Sequence, residues 1–279
     1  MNFINKERIQ AFRIHLIEEE KASATIEKYM HDVMVFAEWL GERDLEKTVI
    51  LAYKAELCEN HAPASVNAAL VSLNQFFVFC GLHDLRVKNL KIQRQMFANS
   101  DKELSKTEYE RLLTAARSKK NERLYLLMQT ICSTGIRVSE LRFVTVEAVE
   151  RGIAEINCKG KRRQVFLPKE LRKMLGRYIR EQNRKSGAVF VTKNGNPLDR
   201  SNIWSDMKKL CKSAGVSEKK VFPHNLRHLF ARTFYSLQKD VVRLADILGH
   251  SSINTTRIYT METGVVHRRQ IERLGLLRC

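Results

Sequence analysis

No stretch of the 279 residues approaches the roughly 18 uninterrupted apolar residues of a membrane-spanning helix. The opening Met1-Asn2-Phe3-Ile4-Asn5-Lys6-Glu7-Arg8 lacks the apolar core and small-residue cleavage site of a secretory leader. A soluble, cytoplasmic protein is expected. Cysteine is sparse and scattered, at positions 58, 80, 132, 158, 211 and 279, with no Cys-x-x-Cys pair. That spacing argues against a structural zinc or a disulfide framework and for reduced thiols, most of them buried. Nothing repeats with a period of 20–50 residues, which excludes a solenoid or propeller, and no tract is of low complexity.

Negative charge is scarce in one part of the chain only. Residues 1–100 carry 12 Lys/Arg against 13 Asp/Glu, whereas residues 101–279 carry 37 against 18, and the whole chain stands at +18. A solvated surface normally mixes its signs, so a concentrated excess points to a polyanionic partner. Nucleic acid fits this better than an anionic membrane, because the basic residues do not line one face of a single amphipathic helix.

The apolar pattern divides the chain. Ile9, Phe12, Leu16 and Ile17 keep helical spacing, and Ile26, Tyr29, Met30, Val33, Phe36 and Leu40 form a second run that Gly41 stops. Helices over about 48–60 and from Pro63 to Gly81 complete a small helical unit with its own core. From about Asp84 to Asp101 the pattern loosens and basic residues dominate, so a linker is expected there, with its proper limits at 91–101. Beyond it, Ser105-Lys106-Thr107-Glu108 is a capping-box pattern, and a helix from about Arg123 runs into Gly135. Strands are predicted over Ile153–Asn157 and Gln164–Leu167, joined by the basic turn Cys158–Arg163, with a further short strand over Ala188–Thr192. Helices are expected from Pro168, and over about 201–214, 224–237, 241–249 and 265–277.

Four segments could carry chemistry. Arg137 follows Gly135, which could cap a helix in the left-handed conformation, and Glu140 is close enough to brace it. His224 and Arg227 are three apart on a predicted helix and share a face, with His228 expected to point elsewhere. Pro223 before them suits a first helical turn, where free N–H groups attract phosphate. Lys159 and Lys161 occupy the basic turn, from which an ammonium could hand a proton to a leaving oxygen. His250 follows Leu248-Gly249 at a helix end, and Tyr259 lies nine residues later. A phenol with a pKa near 10 attacks phosphorus only if the developing charge is stabilised, and arginine's planar fork is suited to that. Taken singly, each of these residues reads more simply as packing or as a solvated surface group.

In their order and spacing, however, segments 134–141, 224–228 and 248–259 resemble the three signature boxes of the tyrosine recombinases, the phage-integrase family, in its shorter Xer-like form. The resemblance covers nearly the whole chain. It implies a mainly α fold with a small antiparallel sheet: a helical, SAM-like core-binding domain at 1–90, a linker at 91–101 and a mixed α/β catalytic domain at 102–279. It also implies site-specific recombination of double-stranded DNA through a 3′-phosphotyrosyl intermediate, without cofactor or metal. Carried over by position, Tyr259 matches the nucleophile, Arg137 and Arg227 the phosphate-clamping pair, and His224 the general acid/base. His250 matches the residue that hydrogen-bonds the scissile phosphate, and Lys159 the proton donor to the 5′-oxygen. Cys158 replaces the family's usual first glycine in that turn, so Lys161 stays open as the alternative donor. The segment after Glu140 departs from the commoner glycine-containing version, which bears on packing there.

The same resemblance implies a tetramer on paired sites, formed by this chain alone or with a second recombinase. An apolar stripe at Ile271, Leu274, Leu276 and Leu277 could dock on a neighbour or pack at home. With no extra domain expected before residue 1, simple sites are expected, serving either mobile-element movement or replicon-dimer resolution. A relaxing topoisomerase of the same chemistry and a non-catalytic DNA-binding protein are the alternatives.

Overall fold

The computed structural model describes residues 4–92, 100–158, 161–250, 252–259 and 272–274. The chain forms two compact units, residues 1–94 and 95–279. Among the described residues no helix is long and apolar enough to cross a membrane.

In the first unit, Asn5 caps α1 (Lys6–Glu18) by accepting from the Arg8 N–H at 2.9 Å. Then follow α2 (Ser23–Leu40), ended by Gly41 at φ +57°, α3 (Lys47–Asn60), and α4 (Pro63–Phe79), which has proline in its first turn. Phe12, Leu16, Val33, Phe36, Ile50, Leu70, Leu73, Phe76 and Phe77 are wholly buried between these helices. Phe12 meets Phe76 edge-on at 5.2 Å, the arrangement that aromatic quadrupoles favour. Among the described residues two polar side chains, Asp32 and Ser72, enter this core. Asp32 accepts from the Ser72 hydroxyl at 2.6 Å and pairs with Lys28.

The loosened stretch after Asp84 does not leave this unit at once. Asn74 both donates to the Val87 carbonyl (2.8 Å) and accepts from its N–H (2.9 Å), and Asn67 does the same for Leu90 (3.0 and 2.7 Å). Two side-chain amides thus stand in for a partner strand, and Val87 is buried. The basic composition of this stretch conceals that attachment, because its apolar anchors, Leu85, Val87 and Leu90, are spread among charged and polar residues.

In the second unit the capping box of α5 (Lys106–Ser118) has both of its bonds, Ser105 N to Glu108 Oε2 (2.8 Å) and Glu108 N to Ser105 Oγ (3.1 Å). Helix α6 (Glu122–Thr134) is central, burying Leu124, Leu126, Leu127, Met128 and Ile131 on several faces. After it come a 3-10 helix at Val138–Phe143, α7 (Val146–Arg151) and an antiparallel pair, β1 (Ile153–Cys158) and β2 (Lys161–Phe166), in the register Ile153↔Phe166 to Cys158↔Lys161. Lys161 to Arg163 are therefore strand residues and not part of a turn. Helix α8 (Lys169–Glu181) packs Leu171, Leu175 and Ile179 inward at four-residue spacing. The remaining helices are α9 (Arg200–Lys208), α10 (Cys211–Ala214), α11 (Pro223–Gln238), α12 (Val241–Leu248) and α13 (Ile253–Thr256). The helix expected over 201–214 is broken between Lys208 and Cys211, and the one expected over 265–277 lies almost wholly outside the described residues.

No strand forms over Ala188–Thr192. Val189 and Phe190 are buried, but the backbone makes only single bridges, Thr145↔Ala188 and Val191↔Pro197. Proline has no N–H with which to extend a ladder. The thiols are also less buried than expected. Cys211 is buried, Cys80 and Cys132 are half-buried and Cys58 is exposed, while the Cys158 side chain and Cys279 lie outside the described residues.

Candidate functional site

The C-terminal end of α12 organises the site. The last carbonyls of a helix lack intrahelical partners and carry the negative end of its dipole. Here three consecutive carbonyls each receive a different arginine. Ile247 O accepts from Arg163 Nη1 (2.7 Å), Leu248 O from Arg227 Nη2 (2.7 Å) and Gly249 O from Arg137 Nη2 (3.2 Å). Gly249, at φ +63°, turns the chain so that these groups fan out.

Arg137 stands just after Gly135, which ends α6 in the left-handed conformation at φ +65°, as expected from the sequence. Its backbone N–H bonds Glu140 Oε2 (2.9 Å) and its Nη1 bonds Glu140 Oε1 (2.9 Å), so the brace anticipated between these residues is present. Glu140 is 5% exposed and also receives Arg163 Nη2 at 2.6 Å. Burial alone would raise the Glu140 pKa. The Arg137 N–H and the two guanidiniums outweigh burial and hold it below the ordinary carboxylate value.

Arg227 comes from α11 and is 2% exposed, the largest of the fully buried side chains. Besides Leu248 O, it reaches Gly135 O through Nη1 (2.5 Å) and His250 Nε2 through Nη2 (3.0 Å). Burial, then the nearby Arg137, lowers its pKa to about 10, which leaves it charged at neutral pH. Because a guanidinium only donates, His250 Nε2 must accept, and Nδ1 then carries the proton toward Thr256 Oγ1 at 2.8 Å. Burial and the three arginines push the His250 pKa down to about 4, so the ring is neutral.

Tyr259 ends a 3-10 turn after α13 and is 3% exposed, packed against Ala231, Leu244 and Leu248. Its ring lies near-parallel to His250 at 6.0 Å and meets His228 edge-on at 4.8 Å. His228 also meets His224 at 4.5 Å, so it does not point away as expected. Residues four apart on an α-helix differ by only about 40° around the axis, which makes His228 as much a neighbour of His224 as Arg227 is. The His228 pKa falls to about 4, through burial first and then His224, Arg232 and Arg227. His224 is exposed. Its pKa is lowered by desolvation, then by Arg227, Arg137 and Arg200.

The structure thus brings together Arg137, Arg227, His250, Tyr259 and, through His228, His224. Lys159 lies outside the described residues, as does the side chain of Lys161, and β1 and β2 end at the pair Cys158↔Lys161. Arg163 is not legible as a site residue in the sequence, because it closes the run Cys158–Arg163 that reads as a basic turn. Thr256 gave no signal at all. With the half-buried His228 and His250 both neutral, three guanidiniums face one carboxylate, and the positive excess suits an anion. No group of three or more His, Cys, Asp or Glu able to hold a metal occurs among the described residues.

A sequence pattern described as the phage integrase family matches residues 102–264. The chain belongs to the phage integrase family. It is 32% identical to the tyrosine recombinase XerA of Thermococcus kodakarensis over 277 residues, which are 95% of this chain and 94% of that protein. Among solved structures, that of a XerA recombinase aligns with a TM-score of 0.54 at 27% identity, covering 98% of this chain and 99% of that one. A lambda integrase tetramer bound to a Holliday junction gives a TM-score of 0.73 at 18% identity, covering 91% and 76%. For this family member the fold agrees with the expectation of a mainly helical chain with one small antiparallel sheet.

Proposed function

We propose that the protein is a site-specific tyrosine recombinase that breaks and rejoins duplex DNA with Tyr259 as nucleophile. The Tyr259 oxygen attacks the scissile phosphorus, forming a 3′-phosphotyrosyl bond while the bond to the 5′-oxygen breaks. A proton delivered to that oxygen releases a 5′-hydroxyl, and Lys159 is the donor in this reading. Attack of a 5′-hydroxyl on the phosphotyrosine reverses the step and rejoins a strand, so the bond energy is conserved. Arg137 and Arg227 neutralise the charge that grows on the non-bridging oxygens, the effect that such donors supply in phosphoryl and acyl transfer. His250 hydrogen-bonds one of those oxygens, and His224, the exposed imidazole, exchanges protons near the nucleophile. Binding a phosphate there redirects the Arg227 N–H now spent on His250.

The observation that carries the reading is the convergence of Arg137, Arg227, His250 and Tyr259, from four chain segments, around the end of α12. The charge excess of residues 101–279 supports duplex DNA as substrate. A tetramer on paired sites, helical-unit contacts to DNA from residues 1–90 and a cytoplasmic location complete the proposal. None of the matches described above is a topoisomerase, and no feature of the site favours a non-catalytic protein.

The test is a nicked duplex that traps the covalent intermediate by loss of the short 5′ fragment. Wild type should accumulate a protein–DNA adduct. Tyr259→Phe, which removes one hydroxyl and no charge, should bind DNA nearly as well and form none. An adduct with the phenylalanine variant refutes the assignment.

A further inference from the structure

Arg163 belongs to none of the roles above, yet it is tied into the site more firmly than an ordinary surface arginine. It is the third residue of β2, opposite Ile156, and its side chain is 14% exposed. One arm of its fork donates to Glu140 Oε2 (2.6 Å), the carboxylate that holds Arg137, and the other to Ile247 O (2.7 Å), three residues before His250. A Cβ on Gly249 would lie 2.3 Å from Arg163 Cδ and 2.7 Å from its Nε, so only glycine leaves room for this guanidinium to cross. The Nε–H, buried in that crossing, has no protein acceptor, a cost that the two other bonds must offset.

A lysine could not take this place. Its single ammonium cannot span a carboxylate and a carbonyl in fixed directions, whereas the planar fork does so by construction. Arg163 therefore joins three parts that the sequence keeps far apart: the β1–β2 pair, the Arg137–Glu140 turn and the end of α12.

We infer that Arg163 is a positioning residue for recombination, which acts through Glu140 to set the Arg137 guanidinium against the scissile phosphate and locks the β1–β2 pair to the clamp. The inference rests on the recombinase reading above. It predicts a specific chemical signature. A guanidinium set against a phosphodiester is needed for the negative charge on the non-bridging oxygens. A methylphosphonate at the scissile position lacks that charge, so loss of the clamp should matter less on it.

The experiment uses the full-length chain as Arg163→Met and Arg163→Lys, with Arg137→Lys for comparison. It measures DNA affinity, thermal midpoint and adduct-forming rate on nicked duplexes with a phosphate or a methylphosphonate at the cleavage point. Arg163→Met should bind within about threefold of wild type and form adduct on the phosphate about 100-fold more slowly, in line with the loss of one charge-stabilising donor. On methylphosphonate its deficit should shrink at least tenfold, as for Arg137→Lys. Arg163→Lys, which keeps the charge and one bond, should fall between Met and wild type in both adduct-forming rate and thermal midpoint, and its phosphate-to-methylphosphonate ratio decides the matter if the methionine variant does not fold. An equal deficit on both substrates, or a wild-type rate on phosphate, overturns the inference. Failure of wild type itself to form an adduct would instead overturn the recombinase reading.

Discussion

Replacing Gly135 with alanine tests how tightly packing and chemistry are joined at the end of α6. The residue sits at φ +65°, where a Cβ costs an L-amino acid roughly 1–2 kcal/mol. That Cβ would also lie 2.5 and 2.7 Å from Cδ1 and Cε1 of Phe230 and 2.9 Å from Cδ2 of Leu248. Leu248 is wholly buried and cannot swing into solvent, while the half-buried Phe230 ring on α11 can give way only in part, and overpacking of this kind costs roughly 1–3 kcal/mol. Alanine gains at most about 1 kcal/mol by restricting the unfolded chain. A net loss of about 3 kcal/mol is expected, or roughly 6–12 °C in thermal midpoint for a unit of this size. The Gly135 carbonyl is a fixed acceptor of Arg227, so relief of the clash also moves the guanidinium. Circular dichroism melts and adduct formation on a nicked duplex check this together. Cleavage should fall more than DNA affinity, and a second change, Phe230→Leu, should restore part of the midpoint by removing the ring edge. A midpoint within 2 °C of wild type together with a normal cleavage rate refutes the reasoning.

Three further outcomes are expected. Arg227→Lys should lose stability as well as activity, because one ammonium cannot serve Gly135 O, Leu248 O and His250 at once; urea melts showing an unchanged midpoint count against the brace. Acid should destabilise the DNA-free protein in a defined window. The folded pKa values of His228 and His250 are near 4 against 6.5 for a free histidine, so the unfolded chain binds protons first. Stability should therefore fall as pH drops from about 6.5 to 4, and the depressed Glu140 carboxyl extends the fall at lower pH; melts that are flat between pH 7 and 4 contradict these shifts. DNA affinity should drop steeply with salt, by several powers of ten from low to moderate ionic strength if on the order of ten phosphates are contacted. Most of that slope should be lost with charge-reversing changes in residues 101–279, and a salt-insensitive dissociation constant refutes the polyanion reading.

The sequence alone determined the helices with clear period and punctuation. Gly41, Pro63, the Ser105–Glu108 box and Gly135 act through their own backbone and nearest neighbours, which is why α2, α4, α5 and α6 stand where expected. The identity of the clustered residues was legible too, since Arg137, His224, Arg227, His250 and Tyr259 lie in short segments whose order is itself the signal. What only the tertiary structure decided depends on partners distant in the chain. The run at Ala188–Thr192 has strand composition, but no long partner strand lies beside it. The basic stretch after Asp84 reads as a free connector until Asn67 and Asn74 supply its backbone partners. Arg163 carries no signal of its own beside Arg162, because Cys158–Arg163 reads as one basic turn, and only the fold makes it a strand on which the two arginines take opposite faces. Only the fold places Glu140, 23 residues earlier, and Ile247, 84 residues later, within hydrogen-bond reach of that one guanidinium.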